Sequence, residues 1–503
     1  MVEARLSLAN LRGRMTSRTI VIGGGLAGLA AAQHLAARGR AVELFEGSSA
    51  LGGVVGTVER GGFLFERAPH TILAGSPTFR RVVDELGLSS RLERADPTAK
   101  TRWLWSRGKL RALSARPSQI VTTDLLSWSA KRRVLSEPFR RFFPPLDGDP
   151  EPSFGAFLDE RIGREASRLL AGAFVRGIHA AELDELGARS AFPSLWALAA
   201  RHGSILRGVA ARAFAEREPL PGPEFPRNAL VSFPRGLREL VDAFGAQLGE
   251  RARCGARAVS LELLGERWLV RMDDGRGHVA DDVIVATSAP IAAELLASAA
   301  RAGRLRSKHD ASRTLGRSLS RELDDAIAPL RDVRHASVTL VGLGFAASAR
   351  ATLPDGFGYL VPPIEDGRAT PAPRALGTIF VTNLFPHRAP HGACSIASFY
   401  RGADVEGLDD PALARLAEQD LALAIAAPVS RASVVHVERW NDVIPRHSPG
   451  HADRVGRLRT ALRAHARGLH VAGAWVDGVS VENVLSSGRS AADRVLEDAG
   501  ERT

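Results

Sequence analysis

The chain has 503 residues, 45% hydrophobic and 24% charged, a globular mixture with room for roughly two to four domains. These proportions exclude global disorder, collagen-like repeats and coiled coil. The 67 Lys and Arg exceed the 56 Asp and Glu, for a net charge of +11, but only four are lysines, so the surplus reflects arginine-rich composition as readily as an anionic partner.

Residues 1–15 are polar and irregular and read as a disordered tail, with Met15 an alternative start. The apolar stretch 19–37 (TIVIGGGLAGLAAAQHLAA) has the length of a secretory core, but its glycine run and Gln33-His34 step argue against one. With the strand expected at 41–46 it forms a strand–turn–helix–strand unit. Gly23, Gly25 and Gly28 give G-x-G-x-x-G: the first for the tight turn, the second for close approach of a pyrophosphate, the third for helix–strand packing. Gly24, Leu26 and Ala27 complete the turn and open the helix, whose free N–H groups favour an anion. Glu46 lies 23 residues beyond Gly23, near the offset of the acid that binds ribose hydroxyls; Gly47 follows it, and then Gly52, Gly53 and Val54.

Segment 111–220 is helical by pattern, and 131–143 mixes Arg with Phe, Leu and Val in an amphipathic helix suited to an anionic membrane or to an ordinary core. Segments 256–261 and 267–272 read as a hairpin, and 282–287 as a buried strand. The Arg/Ser-rich stretch 301–321 reads as a loose loop. Residues 468–473 form a strand ending in glycine, and 478–483 open a final helix running to Asp498. Two cysteines, Cys254 and Cys394, cannot build a disulfide framework or four-cysteine zinc site, and no histidine pattern has metal-ligand spacing, so no metal is expected. No other run reaches the roughly 18 apolar residues needed to span a bilayer.

The fingerprint extended by Gly52-Gly53 resembles the FAD-binding unit of glutathione-reductase type in the amine oxidase superfamily. An Arg or Lys usual two residues before that glycine pair is Ala50 here. Residues 354–362 (PDGFGYLVP), 376–380 (LGTIF) and 384–390 (LFPHRAP) resemble the oxygen-dependent protoporphyrinogen oxidases, as do 232–237 (SFPRGL), 191–193 (AFP), Trp440 with Ile444-Pro445, and Gly450-His451. The resemblance implies an α/β fold: a Rossmann-like FAD-binding domain (16–85, 230–300 and 430–503), a mixed α+β substrate domain (86–110 and 310–430) and a helical, membrane-associated domain (111–220). It implies FAD contacts from Ala68, Pro69, His70, Thr71, Ala258, Trp440, Gly473, Val479, Ser480 and Val481. For a flexible tetrapyrrole it implies Arg102 on a propionate, Gly177 with its carbonyl toward the pyrrole nitrogens, and Leu360 and Phe385 as apolar walls. The chain departs from the family in Ala68, where glycine is usual, and in His179, Ala181 and Glu182, which replace tyrosine, glycine and aspartate.

The implied reaction is oxidation of protoporphyrinogen IX, with hydride passing to flavin N5, oxygen as acceptor and peroxide as by-product, and with no protein catalytic base assigned. Coproporphyrinogen III oxidation remains the near alternative, decided by whether Arg176 or Arg446 adds cations to the pocket; another flavin oxidase or desaturase and a non-catalytic flavin-binding protein are the others. An amine oxidase is disfavoured, since Lys308 is the sole lysine beyond Lys131 and Tyr359 and Tyr400 are the only tyrosines. The expected location is cytoplasmic, peripheral on the cytoplasmic face of the cell membrane, with no nucleic acid partner; a homodimer is left open.

Overall fold

The computed structural model describes residues 17–113, 121–146, 148–214, 218–307, 321–347, 353–363 and 371–500. The expected tail 1–15 and most of the Arg/Ser-rich stretch lie outside these. Where that stretch begins, the chain is helical rather than looped: helix Ala289–Ser307 runs through its first residues.

Apolar β-branched runs buried on both faces make a parallel sheet. Strand Arg18–Ile22 lies at its centre, flanked by Ala41–Phe45 and Asp282–Val285, with Ala252–Arg253 and Leu469–Val471 at the edges, all parallel. Val21, Val42, Leu44 and Ile284 face helices Leu26–Ala37, Arg238–Leu248 and Val481–Asp498, whereas Ile20, Ile22, Val283 and Val285 face the opposite layer. That layer holds the expected hairpin, Ala258–Leu264 with Arg267–Met272, extended by a third antiparallel strand, Gly277–Ala280. Leu26–Ala37 is buried around nearly its whole circumference, as a helix must be when sandwiched between a sheet and a second helix. The C-terminal helix reaches it through Gly488, where a Cβ would stand 2.0 Å from the Ala27 carbonyl oxygen.

The second sheet has seven strands in the order Val434–Pro445, His335–Phe345, Cys394–Arg401, Gly377–Phe380, Gly358–Leu360, Arg102–Ser106 and Lys109–Leu113. Only Arg102–Ser106 against Gly358–Leu360 is parallel. Residues 434–445, grouped by sequence with the FAD-binding unit, thus form the edge of this sheet, and 111–113 complete a hairpin rather than open the helical region. Alternation divides the two faces. Trp103, Trp105, Tyr359, Phe380, Ile396 and Tyr400 pack against helix Asp410–Ile425. Leu104, Leu360, Ile379 and Phe399 line the other face.

Helices Trp128–Leu135, Phe154–Ile162, Gly172–His179, Pro193–His202 and Ile205–Phe214 form the third region. Phe142, Phe154, Phe157 and Ala199 centre its core, with Phe192 and Trp196 packed against them. The amphipathic helix expected over 131–143 stops at Leu135, followed by a 3-10 turn, Glu137–Phe139. The cause is Glu137, fully buried, which accepts from Arg161, Ser204 and the Ile205 and Leu206 amides and draws the chain inward just before Pro138. Replacing Glu137 with alanine leaves the Arg161 guanidinium buried and uncompensated. The expected loss is about 3–5 kcal/mol, read by equilibrium denaturation.

Candidate active site

The glycine turn packs as its spacing predicts. A Cβ on Gly28 would stand 1.9 Å from the Gly23 carbonyl oxygen, so helix and turn meet backbone to backbone. At Gly25 the space is open, with nothing within 4 Å of where a side chain would begin. Gly24 N–H donates to Glu46 Oε2 at 2.6 Å and Ser48 N–H to Oε1 at 2.7 Å, which fixes the half-buried carboxylate beside the turn. The second glycine pair folds back onto the first: Gly52 N–H donates to the Gly24 carbonyl at 2.8 Å, and Gly52 adopts φ 104°, a conformation side chains resist. Val54 packs half-buried beside it. Exposed Ala50 leaves no cation at its own position, but the Arg257 side chain lies 3.5 Å from where a Cβ on Gly47 would be. Ala258 starts the adjoining strand with a bulge before Ser260.

Other predicted contacts converge from distant segments. Gly23 abuts the Ala286 carbonyl, and Thr287 beside it accepts a 3.0 Å bond from Trp475 Nε1 in the turn that follows Gly473. Val479 and Ser480 lead into the C-terminal helix, which Ser480 caps by accepting from Asn483 N–H, with Val481 its first residue. Ala68 and Pro69 are half-buried, as is Thr71. The His70 Nδ1 lies 3.0 Å from the Ala68 carbonyl, and its ring meets Phe399 edge-on at 5.6 Å. Trp440 Nε1 donates to the Arg67 carbonyl at 2.8 Å, tying the sheet's edge strand to this loop. An open point of backbone approach at Gly25, a held carboxylate and a helix N-terminus fit a dinucleotide spanning the turn and the C-terminal helix.

The four predicted substrate contacts gather on one face of the seven-stranded sheet. Arg102 pairs with Gly358 and Leu104 with Leu360. Leu360 touches Gly177, where a Cβ would stand 2.6 Å from Leu360 Cδ2. Gly177 lies in the last turn of Gly172–His179, where intrahelical donors run out; Ala180 follows with φ 46° and its N–H on the Arg176 carbonyl. A π-helical turn, Ser167–Ala171, precedes this helix. Phe385 is buried among Leu384, Ala95, Ile379 and Phe357, and Arg102 Cζ stands 5.6 Å from the Phe357 ring. The Arg102 side chain is exposed and has no hydrogen bond or ion pair among the described residues.

Several residues of the site escaped sequence reasoning. The Arg388 guanidinium, fully buried, stacks 4.3 Å beneath Phe385 and reaches Glu66 at 3.0 Å and Ser232 Oγ at 2.6 Å. Among so many arginines, only its place in LFPHRAP marked it. Phe399 had no signal, and Phe357 stood unremarked inside a quoted motif. Arg176 donates to the Pro362 carbonyl and pairs with Glu182, and Arg446 pairs with Glu185.

The histidines here are held neutral. Burial, then the Arg388 charge, pushes His70 down to about 3; burial pushes His179 to about 4; burial, then His451 and His179, pushes His447 to about 3. Because these values lie below the unfolded pKa, the unfolded chain binds more protons as pH falls through 6.5, and stability drops toward pH 3–4. By pH 5 each group costs about 2 kcal/mol. Thermal unfolding at fixed salt should show Tm falling steadily from pH 7 to pH 5; a flat profile contradicts this.

A sequence profile described as "Flavin containing amine oxidoreductase" matches residues 26–496. The chain belongs to this family. As a flavin containing amine oxidoreductase it binds FAD. It is 31% identical to human "Protoporphyrinogen oxidase", covering 96% of this chain and 99% of that one. It is 29% identical to "Coproporphyrinogen III oxidase" of Propionibacterium freudenreichii, over 95% of this chain and 91% of the relative. Among solved structures, cyclohexylamine oxidase from Brevibacterium oxydans shares the fold, with a TM-score of 0.65 at 15% identity over 97% of this chain and all of that one.

Proposed function

We propose that this oxidoreductase oxidises protoporphyrinogen IX to protoporphyrin IX in heme biosynthesis, with oxygen as the final acceptor. The observation that carries the reading is the convergence of Arg102, Leu360, Gly177 and Phe385 on a sheet face that meets the flavin-side loop through the His70–Phe399 contact. Bound FAD supplies the hydride acceptor and the route of electrons to oxygen. The protein positions: Leu360 and Phe385 clamp an apolar macrocycle, the Gly177 carbonyl takes a pyrrole N–H, and Arg102 takes a propionate. Three hydride removals from bridge carbons, with loss of two pyrrole N–H protons and, through tautomerisation, of one proton from the fourth bridge carbon, yield the aromatic porphyrin, and three oxygen molecules take up the six hydrogens as three peroxides.

Protoporphyrinogen is favoured over coproporphyrinogen because Arg176 and Arg446 are engaged by Glu182 and Glu185, whereas Arg102 carries no carboxylate partner among the described residues. Porphyrin fluorescence and peroxide yield from each purified porphyrinogen test this, with kcat/KM at least about tenfold higher expected for protoporphyrinogen, a difference of about 1.4 kcal/mol. The reverse order would favour the coproporphyrinogen reading.

The helical region is the part we assign to peripheral contact with the cytoplasmic face of an anionic membrane. No helix among the described residues is long and apolar enough to cross one. Trp128, Phe139, Phe143 and Leu146 are each at least 70% exposed, interleaved with exposed Arg132, Arg140 and Arg141. Such a mixture suits the interface between headgroups and acyl chains. Co-sedimentation with anionic vesicles should weaken on F139S/F143S/L146S and at high salt, and neutral vesicles should bind poorly. Equal binding by the triple variant removes this assignment.

A further inference from the structure

The reach from the helical region to the flavin-side turn runs through residues 446–454. Gly187 N–H donates to the His447 carbonyl at 2.8 Å, and Glu151 accepts from Gly450, Arg189 and Ser190 amides, each at 2.7 Å. From this strip two buried histidines project together, their rings stacked with centroids 4.7 Å apart and planes 16° apart. Each reaches a consecutive carbonyl of the turn Ala474–Asp477: His447 Nε2 lies 3.0 Å from the Ala474 oxygen and His451 Nε2 2.6 Å from that of Trp475. Facing a carbonyl, which has no proton to give, each Nε2 must carry the hydrogen and donate it. The remaining fixings of that turn come from the nucleotide-binding unit: Trp475 Nε1 on the Thr287 carbonyl, Gly473 N–H on Ser487 Oγ at 3.0 Å, and Arg459 on Asp477 at 2.8 Å.

The turn's own backbone reaches the Ala474 carbonyl through Gly478 N–H at 3.1 Å but gives the Trp475 carbonyl no such donor among the described residues, and buried carbonyls need partners. This turn joins the strand ending before Gly473 to the helix starting at Val481, so its orientation sets where that helix N-terminus points.

We propose that His447 and His451 are positioning residues for the flavin: together they clamp the 474–475 carbonyls and thereby aim the backbone N–H groups at the start of the C-terminal helix toward the isoalloxazine. Reduction places negative charge on that ring, which these N–H groups stabilise, so the clamp strengthens binding of the reduced form more than of the oxidised form. The inference rests on FAD binding and not on the porphyrinogen reading; a chain that binds FAD but oxidises no porphyrinogen leaves it fully testable.

The test compares His447→Phe/His451→Phe, which keeps stacked rings but removes both donors, with His447→Gln/His451→Gln, which restores an N–H near each Nε2. Apoprotein is titrated with FAD by fluorescence, and the midpoint potential is measured on the reconstituted protein. The expected result for the Phe pair is an FAD Kd raised at least tenfold and a two-electron potential lowered by about 30 mV, the equivalent of a further tenfold loss for reduced flavin. The Gln pair should lie within about threefold of wild type in Kd. Should the Phe pair not fold, His447→Phe alone against the Gln pair carries the same comparison. Wild-type Kd and potential in the Phe variant, whatever its Tm, overturn the proposal, as does a Gln pair as impaired as the Phe variant.

Discussion

Replacing Arg102 with leucine is expected to lower kcat/KM for protoporphyrinogen by about 30- to 100-fold, the roughly 2–3 kcal/mol of a charge-assisted hydrogen bond to a carboxylate. The loss should fall mainly on KM, because a propionate far from the reacting carbon is held equally in the ground and transition states. FAD content and Tm should not change: the side chain is exposed, lies over the Phe357 ring and has no hydrogen bond or ion pair among the described residues. Arg102 stands at the start of a strand whose alternation puts it with Leu104 on the substrate face while Trp103 and Trp105 anchor the other, so the cation is aimed by a rigid element. Arg102→Lys should recover part of the loss, since lysine keeps the charge without the planar fork. Steady-state kinetics on both variants decide the matter; an unchanged KM in the leucine variant would remove Arg102 from the substrate site.

The second large effect separates two glycines three residues apart. Gly28→Ala drives a methyl into the Gly23 carbonyl at 1.9 Å, and both partners are backbone, so the helix must move off the strand. Overpacking of this kind costs about 1–3 kcal/mol and lowers Tm in the apoprotein and holoprotein alike. It also displaces the helix N-terminus, so FAD retention is expected to fail. Gly25→Ala meets nothing within 4 Å, so apoprotein stability should be unchanged while FAD affinity falls by at least about tenfold, because the methyl occupies the line of approach of the pyrophosphate. Differential scanning fluorimetry with and without FAD reads both arms. Equal apoprotein losses in the two variants would contradict the division of labour drawn between these glycines.

Much of the nucleotide-binding half was legible because its determinants are local. Gly23, Gly25, Gly28 and Glu46 lie on one supersecondary unit whose spacing is set by a turn, a helix and a strand, and the C-terminal helix announced itself through Gly478 and Ser480. The third strand of the antiparallel layer, Gly277–Ala280, was not visible, since four residues with a glycine and a histidine carry no alternation. The second sheet was legible as a set of motifs but not as a surface. That Arg102 runs parallel to Gly358, and that Leu360 lands on Gly177, depends on pairing between segments more than 180 residues apart, which no local period encodes. The helix expected over 131–143 failed for a related reason. Glu137 reads as an ordinary solvated acid, and only its burial with Arg161 and the start of helix Ile205–Phe214 explains why the backbone turns in. The paired histidines at 447 and 451 likewise gain meaning only once the 474–475 carbonyls arrive beside them.

The order of the parallel sheet also bears on how the protein folds. Its central strand is separated along the chain from its outer strand, Leu469–Val471, and from the helix packed on Ala27, both of which come far later in the sequence. Until these pack, the edge of Asp282–Val285 has no partner and the Leu26–Ala37 helix lacks its covering layer. Pairings between such distant segments slow folding and leave unpaired strand edges exposed meanwhile. The nucleotide site is complete only once these pairings are made, so bound flavin stabilises the paired sheet over any state that lacks them.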